Sequence, residues 1–194
     1  MTRATVPAPA GPPNAPYRLC FVCTGNICRS PMAAAVMTRL ADNDLALAGR
    51  IAVSSAGTGP WHEGEPIDPR AQAALSSRGY DGTGHVAHQV SVTDLPHVDL
   101  LVALDRRHQQ TLRSLGAGAR LDGRLVLLRS FDRTAGGAVD VPDPYYGDES
   151  DFAHCLDQVE LACRGLAGAL AQVLGPVGNG AGHGSGVGEG SAPR

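Results

Sequence analysis

The residues able to do chemistry gather first in one short stretch, "CFVCTGNICRSPM" at 20–32. Cys23 ends an apolar run, and Ser30 and Pro31 read as the cap and first residue of a helix. A thiol is a poor nucleophile until it ionises. A helix N-terminus just downstream favours the thiolate and binds anions through its free N–H groups. Arg29 adds a fixed charge whose planar fork matches two oxygens of a phosphate. Gly25 lets the backbone turn close to a ligand. Asn26 is of a residue type that tolerates a left-handed conformation, and its side chain can lock the loop. Ser30 can donate to the Cys23 sulfur, cap the helix, or do both. About six consecutive amides, from Thr24 through Ile27 and Cys28 to Arg29, can surround three phosphoryl oxygens. The chemistry this stretch suits is covalent phosphoryl transfer to sulfur.

Cleaving a phosphate ester also needs an acid for the leaving oxygen and a base for the water that follows. "VDVPDPYYGDES" at 139–150 supplies one: Asp143 stands between Pro142 and Pro144 on a segment with little backbone freedom. Tyr145 and Tyr146 follow it. With Trp61 in "GPWHEGE", they can wall a flat substrate ring.

Strand-like and helix-like segments alternate through the elements that must hold these residues. Strands are expected at 17–22, 51–57, 98–104 and 124–128. Helices are expected from Met32 through "MAAAVMTRLADNDLAL", at 68–80, at 105–116 with Gly116 as its stop, and at 150–175 with Ser150 as its cap. Alternation of this kind predicts an α/β fold with a parallel sheet and helices on both faces. Ligands of such sheets bind at the carboxyl ends of the strands. Both the Cys23 loop and the Asp143 loop fall at that edge.

At 194 residues the chain is expected to form one domain, 17–174. Pro- and Ala-rich residues 1–16, and residues 175–194 with their eight glycines, have little to bury and read as unstructured extensions. A formal net charge of −3 without a Lys/Arg block argues against nucleic-acid or membrane-surface binding. No apolar run reaches membrane-span length, and the N-terminus lacks the apolar core of a signal peptide. Five cysteines form no disulfide framework, which points to a reducing cytosol. Cys20, Cys155 and Cys163 read as small core residues. No His/Cys spacing suits a metal site. His62, His88, His97, His108 and His154 read as surface or satisfied side chains, and His183 as part of the tail.

"VCTGNICRSPM" with a later "DPYYGD" resembles the low-molecular-weight protein tyrosine phosphatases in their bacterial form. The likeness covers nearly all of 17–174, including "SAGTGPWHEG", "DPRA" and "LLVALDRRH". It implies a four-stranded parallel sheet flanked by helices, with no metal or organic cofactor. It implies Cys23 as nucleophile, Arg29 as phosphate ligand, and Asp143 as general acid and then base. Asn26 would shape the loop and Ser30 support the sulfur. Ser55 and His85 match positions that hydrogen-bond this loop in relatives, and Trp61, Tyr145 and Tyr146 match the pocket rim. Cys28 reads either as a structural loop residue or as a reversible disulfide partner of Cys23. The implied partners are phosphotyrosine-containing proteins. The loop tyrosines also leave open modification by a cognate tyrosine kinase, and nothing demands more than a monomer. One departure is Ala34, where relatives commonly carry Glu; its effect is expected on stability more than on chemistry.

Three other readings compete. Arsenate reductases on this scaffold need redox cysteines between Cys28 and Cys155, and there are none. Protein-arginine phosphatases of the family tend to carry Thr in place of Ile27 and a less aromatic rim. A non-catalytic phosphate-binding module would not need Cys23, Arg29 and Asp143 together.

Overall fold

The computed structural model describes residues 4–12, 14–117 and 121–176. Its sheet has four parallel strands in the order β2-β1-β3-β4, with β1 at Tyr17–Cys23, β2 at Ile51–Gly57, β3 at Leu100–Ala103 and β4 at Leu125–Leu127. Helices α1 (Arg29–Asp42), α2 (Pro69–Ser77), α3 (Arg106–Leu115) and α4 (Glu149–Leu174) complete the layers. The expected α/β architecture is the one observed.

The strand period of two assigns each side chain of β1 to a face. Tyr17, Leu19, Phe21 and Cys23 enter the larger core, with Met32, Val36 and Met37 of α1 and Phe152, Leu156 and Val159 of α4. Cys20 and Val22 enter the smaller core, with Leu101, Ala103 and Leu112 of α3. Helices α1, α2 and α4 pack together, while α3 lies against β3 and β4. Because β1 is central and buried on both faces, the loop leaving it is braced from every side.

Strands β3 and β4 and helices α2 and α3 are shorter than expected by one to three residues at an end, and the ends of α1 and α4 differ for identifiable reasons. Helix α1 starts at Arg29, so Pro31 sits third in the first turn, where a missing N–H costs nothing. It stops at Asp42; Asn43 donates to the Arg39 carbonyl and Asp44 accepts the Ala46 amide, turning the chain so that Leu47 still packs into the core. Helix α4 is capped by Asp148 in a reciprocal box with Asp151, not by Ser150. The N-terminal segment, expected to be unstructured, lies on the body over part of its length. Val6 is buried, the Tyr17 hydroxyl donates to the Pro7 carbonyl at 3.2 Å, and the Ala10 amide donates to Asp99 at 3.2 Å. The expected C-terminal tail lies outside the described residues beyond Pro176. Among the described residues no helix is long and apolar enough to cross a membrane.

Two glycines of α4 respond oppositely to the same substitution. A Cβ on Gly165 would collide with the Phe131 carbonyl, whereas one on Gly168 would meet only open space. Gly168→Ala is expected to raise unfolding stability by about 0.5–1 kcal/mol. Gly165→Ala is expected to lower it by about 1–3 kcal/mol. Urea titration of both variants checks the pair.

Candidate active site

A phosphate cradle needs donors that nothing else has taken. Residues 24–28 form neither helix nor strand, and among the described residues their backbone amides donate to no protein acceptor. The loop is held instead through its carbonyls, with Gly59 N donating to Thr24 and Asp68 N to Ile27, and above all by one side chain. Asn26 is fully buried and takes φ +59°, the left-handed geometry expected for it. Its Nδ2 donates to Ser30 Oγ and to Ser55 Oγ, both at 2.9 Å. Its Oδ1 accepts the His88 amide at 3.0 Å, and its backbone carbonyl lies 2.6 Å from His85 Nε2. Ser55 and His85 therefore both contact this loop. Burial holds the His85 imidazole below its usual range, so the neutral ring can donate from Nε2.

Close approach sets the neighbouring residues. A Cβ on Gly25 would come within 2.6 Å of the His62 ring. A Cβ on Gly57, at the end of β2, would lie 2.9 Å from the Thr24 carbonyl. Glycine at both positions lets β2 and the His62 loop press against the cradle.

Cys23 Sγ lies at its base, 2% exposed as a residue. Ser30 Oγ is 3.0 Å away and also lies 3.3 Å from the Ala56 carbonyl. Ser30 does not cap α1: Cys28 occupies that position and makes no side-chain cap bond. The serine hydroxyl is turned to the sulfur instead. Cys28 is itself buried, and desolvation, followed by the nearby Asp68 carboxylate, pushes its thiol well above the usual range.

Arg29 is buried under four contacts. Nη1 donates to Asp105 Oδ2 at 3.0 Å and to the Val141 carbonyl at 3.2 Å; Nη2 donates to Thr24 Oγ1 at 3.1 Å and to Asp143 Oδ2 at 2.6 Å. Its Nε is buried with no acceptor among the described residues. A buried unpaired donor costs about 1–3 kcal/mol, and a phosphoryl oxygen in the cradle would satisfy it. Asp143 stays accessible, its side chain 42% exposed. The prolines on either side of Asp143 carry it to the mouth, where its Oδ1 accepts the Tyr145 amide at 3.3 Å.

These groups line a slot of about 400 Å³ with Cys23, Ile27 and Cys28 at depth and Trp61, Tyr145 and Tyr146 at the rim. Tyr145 meets Tyr146 edge-on at 5.0 Å between centroids and His62 at 5.8 Å. Trp61 and Tyr146 are 69% and 95% exposed, so they are not core residues. The rim has a brace that the sequence did not reveal. Arg70 donates to the Tyr145 and Gly147 carbonyls and pairs with Asp68, whose own amide donates to the Ile27 carbonyl. The acid loop and the cradle are thereby tied through one ion pair. The only sequence signal was "DPRA" within the resemblance.

His108 was also missed, having been read as a surface or satisfied residue. It is buried, and Thr24 Oγ1 lies 2.9 Å from its Nε2. Its Nδ1 lies 3.1 Å from Asp105 Oδ1 without a hydrogen bond to it, and the same oxygen accepts the His108 amide at 2.9 Å as the cap of α3. Arg29, Thr24, His108 and Asp105 form a closed ring that fixes the guanidinium plane. Burial, reinforced by the Arg29 charge, pulls the imidazole down to about 4, so it is neutral near pH 7. It can then accept the threonine proton at Nε2 and keep its own on Nδ1, facing the carboxylate.

Two outcomes follow from this ring. Thr24→Val and His108→Leu are each expected to lower kcat/KM for an aryl phosphate several-fold, and the double variant to lose less than the product of the two. Steady-state kinetics on the three variants decides it. The folded imidazole titrates at about 4 against 6.5 unperturbed. The unfolded chain therefore takes up a proton between those values that the folded chain refuses. Stability is expected to fall as pH drops through that window, by up to about 1.4 kcal/mol per pH unit. Denaturant midpoints should show the slope in wild type and a shallower one in His108→Gln.

The low molecular weight phosphotyrosine protein phosphatase family model matches residues 18–174. A low molecular weight protein-tyrosine-phosphatase of Streptomyces coelicolor is 50% identical over 157 residues, covering 80% of this chain and 94% of that one. Low molecular weight protein-tyrosine phosphatase A of Mycobacterium tuberculosis is 48% identical over 152 residues, covering 78% and 90%. A crystal structure of a protein tyrosine phosphatase from Entamoeba histolytica superposes with a TM-score of 0.75 at 34% identity, covering 80% and 97%. A cysteine under a ring of free amides, an arginine beside it and an aspartate above it thus occur in a chain that belongs to the low-molecular-weight protein tyrosine phosphatase family.

Proposed function

We propose that the chain hydrolyses phosphotyrosine in proteins through a cysteinyl-phosphate. The observation that carries this is the single slot holding Cys23 Sγ at its floor, unclaimed amides around it, and Asp143 at its mouth. The phosphoryl group sits on the amides of residues 24–28, with Arg29 Nε and Nη2 on its oxygens. An oxygen taking Nη2 releases the Asp143 carboxyl toward the leaving group. Cys23 Sγ attacks phosphorus as the P–O bond to the tyrosine breaks, and Asp143 gives its proton to the phenoxide. Asp143 then takes a proton from a water that attacks phosphorus. The S–P bond breaks and inorganic phosphate leaves, with Ser30 Oγ–H bonded to the departing sulfur. The ring of Arg29, Thr24, His108 and Asp105 holds the charge in place before the transition state forms, which is where such charge is most effective.

The depth of Cys23 and the aromatic rim favour phosphotyrosine over phosphoserine, whose shorter reach also ends in a poorer leaving group. Ile27 and the paired tyrosines favour it over phosphoarginine. The chain is proposed to act as a monomer. Five unpaired cysteines support a reducing, cytoplasmic setting. The exposure of Tyr146 supports access by a cognate tyrosine kinase.

Hydrolysis of a phosphotyrosyl peptide without added metal tests the reading. Cys23→Ser is expected to abolish turnover. Asp143→Ala is expected to slow it about 100-fold or more, with a smaller loss on p-nitrophenyl phosphate, whose leaving group needs less protonation. Comparable rates on phosphoserine would overturn the depth argument, and faster turnover of a phosphoarginine peptide would overturn the substrate assignment. Phosphate binding without turnover of either would leave a binding module.

A further inference from the structure

Asp143 has to stay in place after its closest partner has left it. In the resting site Asp143 Oδ2 lies 2.6 Å from Arg29 Nη2, and that donor is the one a phosphoryl oxygen takes. The acid is then held by its own segment. Upstream the segment is pinned at Val141, whose amide donates to the Leu104 carbonyl at 2.8 Å and whose carbonyl accepts Arg29 Nη1. Downstream, before α4 begins, it is held by a side chain that does not line the slot. Arg70 Nη2 donates to the Tyr145 carbonyl at 3.0 Å, and Nη1 donates to the Gly147 carbonyl at 3.1 Å. Among the described residues no other side chain donates to the backbone of 144–147. Tyr145 is also the residue whose amide donates to Asp143 Oδ1. That bond occupies Oδ1 and leaves Oδ2, the oxygen freed from Arg29, to carry the proton.

The Arg70 guanidinium is itself closely held. Nε and Nη2 donate to Asp68 Oδ1 and Oδ2 at 3.1 and 2.8 Å, a two-point grip that needs a planar fork. The guanidinium carbon lies 4.6 Å from the ring centroid of Phe152, a fully buried residue of α4, and 5.8 Å from that of Tyr145. Asp68 is buried, and its amide donates to the Ile27 carbonyl of the cradle at 2.8 Å. The cradle sets where phosphorus sits. Asp68 and Arg70 set the acid segment against that same cradle. Proton transfer to the leaving oxygen depends on this separation, since a misplacement of about 1 Å can cost about 100-fold. A lysine would keep the charge, but a compact ammonium cannot grip both carboxylate oxygens and two carbonyls at once.

We propose that Arg70 is a positioning residue for the general acid: it touches neither the phosphate nor the leaving group, and it fixes Asp143 over the leaving oxygen once the phosphoryl group has taken Arg29 Nη2. The inference rests on the phosphotyrosine reading above.

The test is how kcat/KM depends on leaving-group basicity, from p-nitrophenyl phosphate to phenyl phosphate, whose leaving group resembles that of phosphotyrosine. A well-placed acid offsets charge on the leaving oxygen, so the wild-type dependence is expected to be shallow. Arg70→Lys is expected to slow phenyl phosphate about tenfold or more, and p-nitrophenyl phosphate about threefold at most. The ratio of the two rates in one preparation does not depend on how much of the protein is folded, so it separates positioning from lost stability. Asp68→Asn weakens the grip on the guanidinium while keeping the shape of the side chain, and should shift the ratio the same way by less. Inhibition by inorganic phosphate should be unchanged in both variants, because the cradle amides and Arg29 remain. In an Asp143→Ala background there is no acid left to position, and Arg70→Lys should leave the ratio as it was. Equal slowing of both aryl phosphates, a loss of phosphate inhibition large enough to account for the slowing, or an effect on the ratio undiminished in Asp143→Ala would overturn the proposal with the phosphatase reading intact. A wild type unable to hydrolyse either aryl phosphate would sink that reading, and this one with it.

Discussion

A loop that keeps its N–H groups for a substrate cannot use them to hold itself together. That constraint shapes the molecule from Asn26 outward. Residues 24–28 keep their amides free, though the Thr24, Ile27 and Cys28 carbonyls accept backbone N–H groups from Gly59, Asp68 and Met32, so much of the brace must come from side chains and from packing. Asn26 supplies most of it: one buried amide with both donor and acceptor atoms satisfied, plus a backbone carbonyl contacted by His85. A buried amide left half-satisfied would cost about as much as it contributes. The serines at 30 and 55 and the backbone at His88 are therefore parts of the same device.

The sheet makes that device affordable. β1 is flanked by β2 and β3 and buried on both faces, so the cradle leaves a strand anchored on every side. The order β2-β1-β3-β4 also brings the ends of β1, β2 and β3 side by side. Gly57 at the end of β2 touches the cradle backbone, and Leu104 just after β3 accepts the Val141 amide. That last bond carries the segment before Asp143 to the cradle, where Arg29 Nη1 takes the Val141 carbonyl. Asp105 serves two masters: one oxygen caps α3 and the other holds Arg29.

Several local rules give way near this edge, and each concession has a visible use. Ser30 forgoes the cap for the sulfur. Asn26 accepts a left-handed backbone. Arg29 leaves Nε buried and unpaired. Elsewhere the rules hold, as in the capping box at Asp148 and Asp151 or the Asp68 cap of α2. Such concessions are sustained where neighbouring structure over-determines the geometry.

Much of this was legible in the sequence because it is local. The strand at 17–23, the loop that follows it and the helix beyond lie within one short run, and residue types dictate their conformations: glycine at the close approach, asparagine at φ +59°, apolar residues on a strand buried twice over. Asp143 was legible because two prolines stiffen it at the same sheet edge. Boundaries were less so, since Ser30 and Ser150 could each have capped a helix and only competing partners decided otherwise. The contacts that sequence could not show are those made across the fold: His108 on Thr24, Arg70 on the Tyr145 carbonyl, Asp105 on Arg29. They join residues up to 84 positions apart, and nothing in local propensity distinguishes such a histidine from a surface one. The sequence by itself determined the chemistry, because a thiol, a guanidinium and a carboxyl retain their reactivity wherever they stand. The tertiary structure decided which of them meet, because burial and the order of strands set distance, and distance sets hydrogen bonding and charge.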